Sequence, residues 1–242
     1  MKLLHMRPDE IRTAVSQQLA VLLPVGVCEY HGPHLPVGVD FLIAKSLFEE
    51  VEKRCPCVLA PGIQFGPTMG WAGGSADGDA DFNPAAFSAY AKEELRQLLL
   101  IGFRRIYALT IHQGPDGLQA SCLKRAAAEL SWEMAHSWPG GWGRTPDCPD
   151  PSIFGMIKIA TDMDKYSQYP EGMKKIALGH AGKGETQLIL AKYPELVRMD
   201  LLGTQDFATP EWLLDSGQAD ADEGLMWLDF CAEGWAREIN KC

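Results

Sequence analysis

Residues 19–27 (LAVLLPVGV) form an apolar run without a charged side chain. Such a run is too short to cross a bilayer and has the pattern of a strand buried on both faces. A strand of that kind needs cover on two sides, and the flanking sequence offers it. Helical spacing is predicted over residues 7–18, where Pro8 opens the first turn and Ile11, Val15 and Leu19 share a face. Further helices are predicted over 42–54, over 84–101 with Gly102 as the stop, over 118–136, over 185–192 before Tyr193-Pro194, and from 223 onward. Strand-like runs at 58–63, 104–111 and 153–160 fall between them. Strands alternating with helices predict an α/β fold, a mostly parallel sheet with helices on both faces. No repeat, low-complexity tract or linker interrupts the pattern, so one domain over 1–242 is expected. Two stretches resist periodicity and read as loops: 64–83, rich in Gly and Asp, and 138–151, rich in Trp, Gly and Pro.

Charge excludes several function classes. The chain carries 22 Lys and Arg against 32 Asp and Glu, a formal charge of −10. Nucleic-acid binding needs a basic face that displaces counterions, and an anionic membrane surface asks for the same sign. The first ten residues (MKLLHMRPDE) reach charge and proline too soon for a signal peptide. The seven cysteines include Cys55-Pro56-Cys57, whose single intervening residue fits neither a zinc knuckle nor a thioredoxin motif. Reduced thiols and a cytoplasmic location are the expectation. Neither a nucleophile elbow nor a phosphate loop occurs, which removes serine-hydrolase and nucleotide-dependent readings.

The chemistry concentrates at element ends. Residues 29–36 (EYHGPHLP), followed by Asp40, come directly after the apolar run at 19–27. In open α/β sheets, ligands bind beyond the carboxyl ends of strands. Glu29 and His31 are two apart, so an extended backbone points them the same way. Carboxylate plus neutral imidazole is a ligand set for zinc, manganese or iron. His112 ends another predicted strand, and residues 180–186 (HAGKGET) open a predicted helix with His180 and Glu185. His34 is placed to orient a ligand or to serve the core. Asp77, Asp79 and Asp81 alternate as in a calcium loop, but no glutamate follows at the twelfth position, so a solvated loop or substrate contact is expected. Trp71, Trp138 and Trp142, in Gly-rich loops, could wall a pocket for a flat polar substrate.

Three stretches carry a resemblance to the creatininase (creatinine amidohydrolase) family: residues 23–40 (LPVGVCEYHGPHLPVGVD), 102–114 (GFRRIYALTIHQG) and 179–200 (GHAGKGETQLILAKYPELVRMD). The resemblance implies a three-layer α/β/α sandwich and a centre of one or two divalent metals, zinc, manganese or iron. On that footing Glu29, His31, Asp40, His112 and Glu185 are the metal ligands, with Asp40 bridging two ions. Water activated by the metal would attack a carbonyl, and His180 would protonate the leaving nitrogen, so His180 and Glu185 are the catalytic candidates. Candidate substrate contacts are Trp71, Asp79, Gln113 and Trp142. The implied reaction is hydrolysis of a C–N bond in a small cyclic amide, formamide or related compound. A small-molecule substrate and a homo-oligomer, often a hexamer in the family, are the expected partners. The chain departs from the pattern at Gly114, where creatininases proper carry a metal-binding glutamate, and at residues 78–83 (GDADFN). Either Glu185 takes that coordination role or the second site is weaker. The departures motivate one rival, a non-hydrolytic metal-dependent isomerase or lyase on the same scaffold. Another is a metal-binding subunit without turnover.

Overall fold

The computed structural model describes residues 1–144, 152–172 and 174–241. Residues 145–151, the second half of the loop predicted over 138–151, lie outside the described residues.

Among the described residues four strands form one sheet: β1 (Ala20–Val25), β2 (Cys57–Leu59), β3 (Ile106–Thr110) and β4 (Ile157–Ala160). Their order is β2-β1-β3-β4 and every pairing is parallel. β1 and β3 are buried along their whole length, as their apolar runs require. The helices are α1 (Pro8–Ser16), α2 (Val39–Glu52), α3 (Pro84–Ile101), α4 (Leu118–Ala135), α5 (Lys183–Lys192) and α6 (Ala221–Ile239).

The side-chain alternation of β1 divides the interior in two. Ala20 and Leu22 join a core with Leu47 and Phe48 of α2, Leu188 of α5 and Trp235 of α6. Val21, Leu23 and Val25 join a second core with Phe87 and Leu95 of α3 and Leu123 and Leu130 of α4. The sheet is thus the middle of three layers, with helices on both faces, the expected α/β/α sandwich.

Boundaries differ from the sequence expectation where tertiary contacts decide. β1 ends at Val25, because Gly26 must clear α2: a Cβ on Gly26 would collide with the backbone of Phe41. The strand predicted over 58–63 shortens to Cys57–Leu59, and Ile63 keeps only an isolated bridge to Val25. The predicted 153–160 strand pairs only from Ile157. α2 starts at Val39 and α5 at Lys183, each earlier than expected; the first places Asp40 in a first helical turn, and Glu185 stays in the first turn of α5. The segment from Leu225 to Trp235 serves mainly as core: Trp227, Leu228, Cys231 and Trp235 are buried, while Leu225 and Met226 stay exposed.

Polar ties lock the helices of the first core. Glu50 of α2, 6 % exposed, accepts from Lys192 Nζ of α5 at 2.7 Å and Lys53 Nζ at 2.7 Å. Arg54 joins it at 3.2 Å and reaches Asp229 of α6 at 2.9 Å. Burial alone would raise the Glu50 carboxyl, but Lys192, Lys53 and Arg54 outweigh it and hold the group down to about 2. A depressed carboxyl contributes stability that is complete above its ordinary value near 4.5 and fades as pH falls toward 2. Glu50→Gln is therefore expected to cost about 1–3 kcal/mol at pH 7. Urea unfolding at pH 7 and pH 3 checks this, since the gap between parent and variant must narrow at the lower pH.

Candidate metal centre

The carboxyl ends of β1 and β3 and the amino ends of α2 and α5 meet at one place. Beyond β1 the chain turns through Glu29 and His31. β3 delivers His112, α2 delivers Asp40 and α5 delivers Glu185. Helix amino ends carry partial positive charge, which favours carboxylates there. Glu29, His31, Asp40, His112 and Glu185 are all at most 4 % exposed.

His31 Nε2 lies 3.5 Å from Glu185 Oε2 and 3.7 Å from Asp40 Oδ2. His112 Nδ1 lies 3.3 Å from Glu29 Oε2 and 3.6 Å from Asp40 Oδ2. Two triads result, Glu29–Asp40–His112 and His31–Asp40–Glu185, each with its donor atoms within 4.8 Å of one another and both sharing Asp40. A third group, Glu29–His31–His180, overlaps them.

The donor atoms fit divalent cations. Glu29 Oε2, His31 Nε2 and Asp40 Oδ2 are buried and have no hydrogen-bond partner, though each faces the cluster. Leaving such atoms unsatisfied costs about 1–3 kcal/mol each, more for charged ones. The His31 tautomer is set from outside: Nδ1–H donates to the Glu29 carbonyl at 3.0 Å, so the Nε2 lone pair faces the acids. Burial lowers the His31 pKa, which favours the neutral, ligating imidazole. His112 differs, because burial opposes its charge but the neighbouring Asp40 and Glu29 carboxylates overcome this and push it up to about 10. Burial, reinforced by Asp40, drives the Glu185 carboxyl well above its usual range.

His180 stands over this cluster. Its Nε2–H donates to the Tyr30 carbonyl at 2.9 Å, and its Nδ1 lies 3.8 Å from Glu29 Oε2. Trp71 and Trp212 pack edge-on against the ring, with centroids 5.1 and 4.9 Å away. Burial lowers its pKa, so Nδ1 presents a lone pair. The next residue, Ala181, takes the left-handed conformation (φ 50°), and its N–H donates to Glu185 Oε2 at 2.7 Å. Strain of this kind gathers where a site fixes the backbone.

A cavity of about 960 Å³ opens above the cluster, lined by Glu29, Asp40, Trp71, His112, Gln113, His180 and Glu185 among others. Gln113 borders it, but its amide is engaged: Nε2 donates to Thr68 O at 2.9 Å and Oε1 accepts from Leu118 N at 3.1 Å.

Other candidates are placed elsewhere. Asp79 does not border the cavity; its Oδ1 accepts the Tyr30 N–H at 2.5 Å and so braces the Glu29–His31 turn. Asp81 accepts from the N–H groups of Thr68 and Met69, and Asp77 from Gly74, so all three acids fasten the 64–83 loop. Trp142 packs against Phe154 with centroids 5.4 Å apart, and neither it nor Trp138 borders the cavity. His34 serves the neighbouring helix: its Nε2–H donates to Thr186 Oγ1 at 3.0 Å, and burial lowers its pKa to about 4. Lys183 pairs with Glu223 at 2.7 Å.

Two features escaped sequence reading. Gln119 of α4, fully buried, accepts from Thr110 at 2.5 Å and donates to Gly26 O at 2.8 Å, tying the ends of β3 and β1 together. Residues Asp162 and Asp164 also line the cavity. They follow β4 as His112 follows β3, so the strand-end rule was the signal that could have found them.

An α/β sandwich with buried carboxylates and imidazoles converging at its strand ends defines a metal-dependent hydrolase type of site. Comparisons with known proteins make this specific. The family model for creatininase (creatinine amidohydrolase) matches residues 4–239, and the chain belongs to the creatininase family. Creatinine amidohydrolase from Pseudomonas putida is 24 % identical over 244 residues, 91 % of this chain and 88 % of that protein. A mycofactocin precursor peptide peptidase from Mycobacterium ulcerans (strain Agy99) is 25 % identical over 215 residues, 86 % of this chain and 74 % of its own. Among solved structures, a tryptophan-to-phenylalanine mutant creatininase superposes with a TM-score of 0.78 at 21 % identity, covering 99 % of this chain and 97 % of that one. A creatininase structure with Mn gives 0.73 at 22 % identity, with coverage of 99 % and 97 %.

Satisfying the orphaned atoms must stabilise the fold. At a free-metal level 100-fold above Kd, one ion adds about 2.7 kcal/mol. That should lift the melting temperature of the chelator-treated protein by about 5–10 °C for a chain of this size. Scanning calorimetry with added Zn²⁺ or Mn²⁺ reads the gain, and Asp40→Ala, which removes the shared ligand, must abolish it.

Proposed function

We propose that this chain is a divalent-metal-dependent amidohydrolase that cleaves a C–N bond in a small cyclic amide, formamide or related compound. The observation that carries this is the pair of buried triads sharing Asp40, with their unsatisfied atoms turned inward at the floor of a cavity. Glu29, Asp40 and His112 would hold one ion, and His31, Asp40 and Glu185 the other, zinc, manganese or iron. Divalent ions bound there polarise a carbonyl and make water nucleophilic at neutral pH. Support for hydrolysis also comes from the relatives, whose names describe an amidohydrolase and a peptidase.

The protein's own residues supply the proton traffic. His180 holds Nδ1 toward Glu29 because Nε2–H is fixed on the Tyr30 carbonyl. It can therefore take a proton from the attacking water and return it to the leaving nitrogen at that one atom. Trp71 and Trp212 confine the ring. Ala181 and Ser216 hold the turn between His180 and α5: the Ser216 hydroxyl donates to Ala181 O at 2.8 Å.

His180→Ala is expected to lower kcat by about 10²–10⁴-fold while metal content stays that of the parent. Turnover of a lactam and a linear amide, beside metal analysis of the same preparations, measures both. Reaction in ¹⁸O-water must place label in the new carboxylate; an isomerase or lyase would leave the product unlabelled.

A further inference from the structure

The two triads are fastened differently. In the His31–Asp40–Glu185 triad, two members are oriented by backbone groups. His31 Nδ1–H donates to Glu29 O at 3.0 Å, and Glu185 Oε2 accepts from Ala181 N–H at 2.7 Å. Glu29 and His112 have no such support. Among the described residues, no hydrogen bond from outside the cluster reaches either side chain. Their placement therefore passes through the backbone. Glu29 follows the end of β1 and His112 follows the end of β3, so their spacing is that of two neighbouring strand ends.

That seam carries a clamp. Val25 and Thr110 are paired where β1 and β3 end. Gln119, in the first turn of α4, lies across the seam. Its Oε1 accepts from the Thr110 hydroxyl at 2.5 Å, and its Nε2 donates to Gly26 O at 2.8 Å. Gln119 and Thr110 are both fully buried, so neither is open to solvent. Room for the amide is kept by Gly66, where a Cβ would collide with Gln119 Nε2. Gly26 is also where α2 meets β1, since a Cβ there would strike Phe41, the neighbour of Asp40. The end of β1 and the first turn of α2 are thus one packed unit, and Gln119 joins that unit to β3.

We propose that Gln119 is a positioning residue for the Glu29–Asp40–His112 metal site, setting the spacing of Glu29 from His112 by holding the ends of β1 and β3 together. Only this triad takes ligands from both strands. His31 follows β1, Asp40 lies on the helix packed against Gly26, and Glu185 comes from α5. A slip between β1 and β3 therefore leaves the spacing of that second triad intact. Residues that touch no ion but hold its ligands in place typically govern metal affinity by about 10–100-fold. The inference rests on the metal-centre part of the amidohydrolase reading and adds a residue that contacts neither ion nor substrate.

The test titrates cobalt(II) into the chelator-treated full chain, followed by calorimetry and by visible absorption, which reports coordination geometry. Two backgrounds isolate the sites: Glu185→Gln leaves Glu29–Asp40–His112, and His112→Gln leaves His31–Asp40–Glu185. Gln119→Met keeps the side-chain length and removes both hydrogen bonds. It should weaken cobalt binding about tenfold or more in the first background, and by less than about twofold in the second. The visible spectrum should change in the first background alone. The two binding steps of the parent chain give the same comparison without either background, one step weakening and the other not. Thr110→Val opens the clamp from its other end and should reproduce the split, whereas Thr110→Ser, which keeps the hydroxyl, should restore parent affinity. These two variants decide the matter if Gln119→Met does not fold. Equal weakening of both sites makes Gln119 a support of the fold only and overturns the proposal, as does an unchanged Kd at both. If the parent chain binds no cobalt, the metal-centre reading itself fails and the positioning role falls with it.

Discussion

Three carboxylates and two imidazoles buried within reach of one another are costly company, and much of this molecule is arranged around that cost. Water is excluded from Glu29, Asp40 and Glu185, and their mutual repulsion is strengthened in a low-dielectric interior. The amino ends of α2 and α5 offset part of it, and so does the Ala181 N–H on Glu185. Glu29 Oε2, His31 Nε2 and Asp40 Oδ2 nevertheless remain without hydrogen-bond partners. A site whose donor atoms still lack partners after the backbone has contributed what it can fits an exogenous divalent cation.

The sheet explains why such a cluster can be assembled from distant sequence. In a parallel sheet the strands all end on one edge, and that edge receives the amino end of each crossover helix. Glu29 and Glu185 are far apart along the chain, yet each occupies a strand or helix end on this edge. Precision comes from small parts. Gly26 lets α2 approach β1, Gln119 ties β1 to β3, and Asp79 braces the backbone at Tyr30.

How much of this was legible depended on whether the signal was local. Buried strands and amphipathic helices announce themselves by pattern, so the layering and the parallel sheet could be read from the chain. The ligand-type residues were legible because motif spacing set them at element ends. Asp79 and Trp142 were misplaced because a polar loop residue looks alike whether it faces a substrate or caps its own backbone. Only the fold decided that Asp79 turns to Tyr30 and that Trp142 packs on Phe154. Gln119 gave no signal, since a glutamine within a helical pattern normally reads as solvated surface. The early starts of α2 and α5 were hidden by the glycines preceding them, which read as loop until the helix caps are seen.

The same edge geometry separates the buried cluster from the outer end of the cavity. Glu29 and His31 follow β1 and His112 follows β3, whereas Asp162 and Asp164 follow β4 at the margin of the described sheet. A substitution on the β1 turn changes a buried cluster whose members share hydrogen bonds and charge, so its effects spread to every ligand. A change at Asp162 touches a half-exposed side chain beside Thr161 and Lys175, and its effects stay local.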